Sequence, residues 1–168
     1  MPEPSSVMVL PHFTATGPPG FISDSSGVMA GLKLETPRGE ILKGLVEGMT
    51  FYIREIFETL PGAGIQVRDF RVVGGGSNSD AWIQISADIL GRPFVRPKIK
   101  EAGALGAAIL AGVGSGVCSS LETGVDTMVH LDRAFVPDSK KQILYNERFA
   151  KYQRLKPLMA DYLRDLAA

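Results

Sequence analysis

The sequence has few of the residues that support several common classes of protein. A single cysteine, Cys118, among 168 residues excludes an internal disulfide and fits a reducing compartment such as the cytoplasm. The 18 lysines and arginines equal the 18 aspartates and glutamates, so no net field would attract nucleic acid or an anionic membrane. No stretch approaches the roughly 20 apolar residues that span a bilayer, and the N-terminus does not resemble a signal peptide. We therefore expect a cytoplasmic protein with no nucleic-acid or membrane partner.

Several catalytic and metal-binding motifs are also missing. The histidines, His12 and His130, lack metal-ligand spacing, so we expect surface or loop residues and no metal site. Ser77, Ser79 and Cys118 lack the sequence context of a catalytic nucleophile. No glycine-rich loop ends in a lysine followed by serine or threonine, which excludes a Walker phosphate loop. The motifs therefore give no support for a metal site, a Walker phosphate loop or covalent catalysis.

The residues that are present predict an α/β fold in one compact domain. Apolar residues repeat at helical spacing from Arg38 to Leu60, with Pro37 at the first helical position and LPGAG as the stop signal. Strand and helix patterns then alternate: VRDFRVV, a helix from Ser79 to Leu90 closed by Gly91, PFVRP, and the helix EAGALGAAILAGVGSG. Such alternation indicates a parallel or mixed sheet with packed helices. The small residues of the last helix predict close packing against a neighbouring backbone, with Glu101 in the first turn.

The two ends of the chain carry weaker patterns. VMVLPHF predicts one strand in a first segment rich in proline, glycine and serine. The tail YNERFAKYQRLKPLMADYLRDL predicts a terminal helix on the surface, kinked or broken at Pro157. Two central strands are too few for a stable sheet. Either the N-terminal segment supplies more strands, or the chain is part of a larger core.

The triple glycine Gly74-Gly75-Gly76 lies between a predicted strand and a predicted helix. Without Cβ atoms, such a loop lets a ligand lie against the peptide, and the following helix N-terminus offers free N–H groups. From the residues alone, a plain strand-to-helix turn is an equally good interpretation. The dinucleotide fingerprint would need glycine at Ser79, although Arg96, near the end of the next strand, could meet the 2′-phosphate of NADP.

Three blocks of sequence resemble the FGGY family of carbohydrate kinases, and its xylulokinase-like members more than the glycerol kinases. GVMAGLKLETPRGEILKGLVEG is similar to the second family signature, from which it departs at Gly44 and Leu45. RVVGGGSNSDAWIQISADILGRPFVRP is similar to the adenosine motif, and EAGALGAAILAGVGSG to the helix that follows it. The resemblance runs from about Leu10 to the C-terminus and corresponds to the C-terminal part of the second kinase domain.

The resemblance implies a partial ribonuclease H-like domain of the actin-like ATPase fold, with a mixed sheet, packed helices and a C-terminal helix. It divides the chain into a strand-and-loop entry (1–36), an α/β nucleotide-binding core (37–115), and a loop with the terminal helix (116–168). The adenine contact could come from either Asn78 or Ser79. The nucleotide-binding residues that it implies are Gly74, Gly75, Gly76, Ser77, Asn78 and Ser79.

The activity that this family implies is phosphorylation of a xylulose-like ketopentose or a polyol with ATP. Family members carry the catalytic aspartate and the sugar contacts in an N-terminal domain that cannot be placed here. We therefore expect a fragment that is inactive alone, with that kinase domain as its partner and Mg²⁺ held largely outside this chain. Two alternatives are a non-catalytic interaction remnant, which could form a homo-oligomer through an exposed sheet edge, and an NADP-type dinucleotide-binding domain.

Overall fold

The computed structural model describes residues 3–14, 17 and 26–167. Where the sequence suggested one compact domain, the chain divides into two compact units. Unit 1 comprises residues 1–66, 88–91 and 137–168, and unit 2 comprises residues 67–87 and 92–136. The division into segments at residues 36 and 115 stays a prediction.

The helices and strands follow one another in the order that the alternating pattern predicts, with additions. They are β1 (Met8–Leu10), β2 (Val28–Ala30), α1 (Arg38–Thr59), β3 (Phe70–Arg71), α2 (Asp80–Leu90), β4 (Phe94–Pro97), α3 (Ala102–Gly114), α4 (Leu121–Met128), β5 (Leu131–Phe135) and α5 (Ser139–Ala167). The expectation of α/β structure is confirmed. Among these helices, none is both long and apolar enough to cross a membrane.

Unit 1 is built around α1, which packs on the β1–β2 ribbon. The two strands pair antiparallel, with Val9 opposite Met29. A Cβ atom on Gly48 would lie 2.4 Å from the Val9 carbonyl oxygen, so glycine is what lets α1 approach β1 this closely. On α1, Phe51 lies among aromatic rings of α5, for example 5.3 Å from the Tyr152 ring. The aromatic residues of this core are Phe51, Tyr145, Phe149 and Tyr152.

A buried carboxylate joins three segments of unit 1. Glu47 on α1 is 1% exposed and accepts hydrogen bonds from the Ser5 backbone N–H at 3.0 and 3.1 Å. It also accepts one from the Tyr145 hydroxyl at 3.0 Å, and the Lys43 ammonium lies 3.6 Å away. Burial raises the pKa of Glu47 above its usual 4.5, although these donors act in the opposite direction. This carboxylate therefore connects the N-terminal segment, α1 and α5.

Unit 2 contains a three-stranded mixed sheet in the order β3-β4-β5. β3 and β4 are parallel, with Phe70 opposite Phe94, and β4 pairs antiparallel with β5, with Phe94 opposite Phe135. The prediction of a mixed sheet is confirmed. The third strand comes from β5, which the sequence did not predict, and not from the N-terminal segment. On the helical side, α3 and α4 come close where Gly124 meets Ile109.

Several helix predictions are confirmed and others need correction. α1 and α2 agree with prediction to within a residue. Pro37 is the cap before α1 and not its first helical residue. The predicted strand VRDFRVV shortens to β3, because only Phe70 and Arg71 pair with β4. The tail helix starts earlier, at Ser139, and continues through Pro157 without a break, since an exposed face tolerates the missing N–H.

The packing prediction for the small residues of α3 is wrong within the described part of the chain. A Cβ atom on Gly103 or Gly106 would meet no atom within 4 Å, and most of the alanines are exposed. Ile109 is the buried residue of this helix. Glu101 is the cap that precedes α3 and not a residue of its first turn. Among the glycines of this helix, Gly112 does have a close neighbour, because a Cβ atom there would lie 3.2 Å from the Cys118 sulfur.

Candidate functional site

The triple glycine forms a tight turn between β3 and α2 in unit 2. Gly74 has φ 77° and ψ −170°, a conformation that is essentially restricted to glycine. Residues 75–78 form one 3₁₀ turn, and α2 begins at Asp80. A Cβ atom on Gly74 or Gly75 would meet no atom within 4 Å, and one on Gly76 would lie 3.8 Å from the Trp82 ring. The turn therefore presents open peptide surface next to an aromatic side chain.

The three polar residues of the turn differ in what their side chains do. Ser77 is 2% exposed, and its hydroxyl donates to the Gly74 carbonyl oxygen at 2.6 Å. Ser79 is exposed, and its hydroxyl oxygen accepts a hydrogen bond from the backbone N–H of Trp82 at 3.2 Å. This bond satisfies a donor in the first turn of α2. Asn78 is exposed as well. Ser77 thus acts inside the turn, whereas Asn78 and Ser79 both face outward and both stay candidates for the base contact.

Two basic residues that follow α2 support the turn from outside. The Arg96 guanidinium, 12% exposed, donates to the Ser77 carbonyl oxygen at 3.2 Å and to the Asp80 carboxylate at 2.6 Å. The carbonyl oxygen of Lys100 accepts a hydrogen bond from the Gly74 N–H at 2.9 Å. The ammonium group of Lys100 donates to the Asn78 side-chain oxygen at 2.6 Å. Both ends of the turn are therefore held by the segment that contains β4.

The charges around Arg96 form a small network. Arg96 also donates to Asp132 on β5 at 3.2 Å, and Arg133 donates to the second oxygen of Asp80 at 2.6 Å. The hydrogen bond from Arg96, together with the positive charges nearby, lowers the pKa of Asp80. Asp80 is thereby favoured as a carboxylate at the N-terminus of α2, where negative charge is stabilised.

Sequence reasoning found the glycines but not the role of these basic residues. The sequence suggests Arg96 only as a ligand for a 2′-phosphate, whereas its guanidinium is bonded to two carboxylates and a main-chain carbonyl. Lys100 belongs to no sequence motif. Its position just after β4 is the only feature of the sequence that could have indicated its role at the turn. Partners of this kind are set by tertiary structure and cannot be identified from spacing along the chain.

An apolar cleft lies beside the turn in unit 2. It has a volume of about 520 Å³ and reaches the turn through Val73. Its polar lining residues include Arg71 and Asp126. The apolar walls come from the sheet on one side and from α3 and α4 on the other, and include Val73, Ile99, Leu105, Ile109, Val125 and Val129.

The edge of β3 is open next to this cleft. The N–H groups of Phe70 and Val72 donate to the Pro93 and Val95 carbonyls, on the β4 side. Backbone groups alternate in direction along a strand, so those of Arg71 and Val73 face away from β4. Within the described residues, β3 has no strand on that side.

The described residues contain no group of three or more histidine, cysteine, aspartate or glutamate side chains that could hold a metal ion. His130 is exposed, as expected, but His12 is not. It is 5% exposed, its ring meets Tyr52 edge-on at 5.2 Å, and burial lowers its pKa. Of the two expected placements, surface or loop, His12 has the second: it lies in the loop after β1, and this strand carries it into the core of unit 1.

With this geometry in view, comparison with known proteins decides the family. Residues 2–115 match the family model described as the FGGY family of carbohydrate kinases, C-terminal domain. The chain belongs to the FGGY family. A glycerol kinase of Deinococcus radiodurans is 33% identical over 158 residues, which cover 92% of this chain and 30% of that protein. The family resemblance inferred from the three sequence blocks is confirmed.

Solved FGGY structures have the same fold. A xyloylose kinase from Brucella ovis superposes with a TM-score of 0.83 at 27% identity. The match covers 95% of this chain and 33% of that kinase. A glycerol kinase from Plasmodium falciparum with ADP gives a TM-score of 0.75 at 27% identity, over 92% of this chain and 31% of that one. The expected actin-like ATPase fold is confirmed. The chain spans about a third of the length of these relatives.

Proposed function

We propose that this chain supplies the adenosine-binding part of an ATP-dependent carbohydrate kinase. The complete enzyme transfers the γ-phosphate of ATP to a hydroxyl group of a polyol or a xylulose-like ketopentose. The observation that carries this proposal is the bare turn at residues 74–76, in a chain of the FGGY family. Relatives named for glycerol and for xylulose both match, which supports a polyol or sugar hydroxyl as the acceptor.

The turn suits a nucleoside for three physical reasons. The peptide surface at Gly74 and Gly75 is open, so a flat base or a ribose can approach the backbone without meeting a side chain. Asn78 and Ser79 are exposed at the end of the turn and can hydrogen-bond to the base or the ribose. Trp82 lies against Gly76 and adds an aromatic surface beside the open peptide.

The remaining catalytic parts belong to other segments of such a kinase. In-line phosphoryl transfer needs a base near the acceptor hydroxyl and a metal ion on the phosphates. The described residues offer no acidic cluster for a metal, so the residues present do not fit a protein-held Mg²⁺ site. In the proposed enzyme Mg²⁺ would be bound by the nucleotide phosphates and by groups from outside this chain.

The open edge of β3 supports the proposal that an N-terminal kinase domain is the partner. The outward backbone groups of Arg71 and Val73 can pair with an added strand. Alternate side chains of such a strand would enter the apolar cleft and cover Val73 and Ile99, which are both 46% exposed. Added pairing would give the short β3 a neighbour on each side.

Nucleotide titration of the purified chain tests the adenosine assignment. Trp82 is the only tryptophan and lies against the turn, so its fluorescence should change when adenosine binds there. We expect saturable changes with ATP and with ADP, confirmed by calorimetry, and none with NADPH beyond its own absorption. Absence of adenine-nucleotide binding would contradict the proposal, whereas selective binding of NADPH would favour the dinucleotide alternative.

A reconstitution assay tests the partner. The chain is mixed with the part of the Deinococcus radiodurans glycerol kinase that precedes its matched region, and phosphorylation of glycerol and a panel of pentuloses is measured. Turnover that needs both pieces supports the proposal. The matched control is the same mixture with Arg71→Pro, which removes the outward N–H of β3 and should abolish association.

The open edge also favours a second candidate, a non-catalytic interaction piece. An unpaired strand next to an apolar cleft can pair with a second copy of the chain. Light scattering after gel filtration separates the two candidates. A stable homo-oligomer that binds no adenine nucleotide would favour the interaction piece.

A further inference from the structure

We propose that Arg96 is a positioning residue for nucleotide binding, which holds the turn at residues 74–79 in the shape that receives adenosine and does not itself contact the nucleotide. This inference rests on the proposed function of the turn. It assigns to Arg96 a role different from that of a phosphate ligand, because its guanidinium is bonded to two carboxylates and to the Ser77 carbonyl oxygen.

The contacts of Arg96 link three separate elements. One guanidinium nitrogen, Nη1, donates to the Ser77 carbonyl oxygen at 3.2 Å and to Asp80 at 2.6 Å. The same nitrogen therefore bonds the middle of the 3₁₀ turn and the first residue of α2. Nε donates to Asp132 on β5 at 3.2 Å. The guanidinium is thus fixed by a carboxylate on each side, while its remaining bond reaches the main chain of the turn.

A turn made of glycines needs such support from outside. Glycine has the largest backbone freedom of any residue, so a bare turn loses the most entropy when it is ordered. Inside the turn, Ser77 bonds to the Gly74 carbonyl through both its N–H and its hydroxyl. A site that is ordered before the ligand arrives binds more tightly, because the ordering cost is not met during binding. The charge-assisted bond from Arg96 to the Ser77 carbonyl contributes to that order.

Arg133 provides a matched comparison within the same network. It donates to the other oxygen of Asp80, also at 2.6 Å. Both guanidinium groups lie over the ring of Phe135, Arg96 at 5.5 Å and Arg133 at 4.6 Å. Of the two, Arg96 bonds to Ser77. A function that depended only on the charge of Asp80 would need both arginines, whereas positioning of the turn needs Arg96.

The number of phosphates on the ligand distinguishes positioning from direct contact. If Arg96 acts through the turn, its removal weakens the binding of adenosine, ADP and ATP by the same factor. If it contacted a phosphate, the loss would be absent for adenosine and would grow with phosphate charge.

The experiment uses the full chain with Arg96→Met, Arg96→Lys and Arg133→Met. Adenosine, ADP and ATP are titrated against Trp82 fluorescence, with folding checked by circular dichroism. Loss of one charge-assisted hydrogen bond predicts binding about tenfold weaker for Arg96→Met, equally for all three ligands. Arg96→Lys keeps the charge without the planar fork and should give an intermediate loss. Arg133→Met should stay within about twofold of wild type.

Hydrogen exchange of the amides at residues 75–79 gives a second readout that needs no ligand. These amides should exchange faster in the Arg96 variants and not in Arg133→Met. If Arg96→Met does not fold, Arg96→Lys decides by the same measurement.

Four results would overturn the inference. They are equal losses in the two methionine variants, a loss that grows with phosphate number, wild-type affinity in Arg96→Met, and unchanged exchange in the turn. If the wild type bound no adenine nucleotide, the proposed function would fail together with the nucleotide role of Arg96. A wild type that binds while Arg96→Met behaves like Arg133→Met would remove only the inference.

Discussion

Single alanine substitutions at the triple glycine separate the stability of the turn from its function. Gly74 has φ 77° and ψ −170°, and a side chain in that region costs about 1–3 kcal/mol. Replacing glycine by alanine also lowers the conformational entropy of the unfolded chain, which by itself stabilises the folded state by about 0.4–1 kcal/mol. Gly74→Ala should therefore destabilise unit 2 by about 1–2 kcal/mol. Gly75 is not among the glycines with positive φ and its Cβ would meet nothing within 4 Å, so Gly75→Ala should be neutral or slightly stabilising.

The order of effects on nucleotide binding is different. A methyl group at residue 75 would project from the open peptide surface on which the purine is proposed to rest. Since apolar contacts are made at about 3.5–4.0 Å, the methyl group would hold the ring away from the backbone. We expect Gly75→Ala to bind ATP about tenfold more weakly, which corresponds to about 1.4 kcal/mol. Gly76→Ala should change stability less than Gly74→Ala does, because its Cβ atom would be in ordinary van der Waals contact with the Trp82 ring at 3.8 Å.

Both effects can be followed with one probe. Trp82 belongs to unit 2, so urea unfolding curves recorded by its fluorescence report the stability of that unit, and titration with ATP reports binding. Equal stability of Gly74→Ala and Gly75→Ala would refute the backbone conformation assigned to Gly74. A folded Gly75→Ala that bound ATP like wild type would show that the purine does not rest on this turn.

Three further predictions concern unit 1 and α3. Burial raises the pKa of Glu47 from 4.5, so its contribution to the free energy of unfolding is complete below pH 4.5 and is lost as the pH rises through the folded pKa. In urea titrations at increasing pH, the wild type should therefore lose stability relative to Glu47→Gln. A difference in stability that stays constant with pH would contradict the raised pKa. Gly48→Ala should destabilise by about 2 kcal/mol or more because its Cβ would clash with Val9 at 2.4 Å, whereas exposed Gly103→Ala should stabilise by up to about 1 kcal/mol, as measured by chemical denaturation. Pro157→Ala should raise the helix content seen by circular dichroism and stabilise by about 1–3 kcal/mol, since it restores an N–H inside α5.

Local signals in the sequence account for the parts of the fold that were predicted. α1 has apolar residues at helical spacing, a proline before it and LPGAG after it. α2 ends at Leu90 and is followed by Gly91, which has φ 61°. By contrast, β5 shows no alternation of burial: four of its five residues are exposed, and Phe135 alone is buried. Its strand conformation comes from pairing with β4, which depends on residues about 40 positions earlier in the chain. A strand specified mainly by its partner cannot be predicted from its own residues.

The short helix α4 was missed for a different reason. Its start signal was present, because the Ser120 hydroxyl oxygen accepts the Thr123 N–H at 3.2 Å, as expected of a serine cap. The helix is only eight residues long and includes Gly124, which lowers its helical propensity. Its close approach to Ile109 is a tertiary contact. Similarly, the glycines of the site were visible in the sequence, whereas the Arg96 bonds depend on the sheet having formed.

The support of the turn extends beyond the residues that match the family model. That match ends at residue 115, but Arg96 is fixed by Asp132, and Arg133 holds the other side of Asp80. These two partners lie on β5, whose pairing places Arg96 opposite Arg133. A two-stranded sheet of β3 and β4 would be marginal by itself. The proposed adenosine surface therefore depends on β5 in two ways, since this strand is the third strand of the sheet and supplies Asp132, whose carboxylate fixes Arg96.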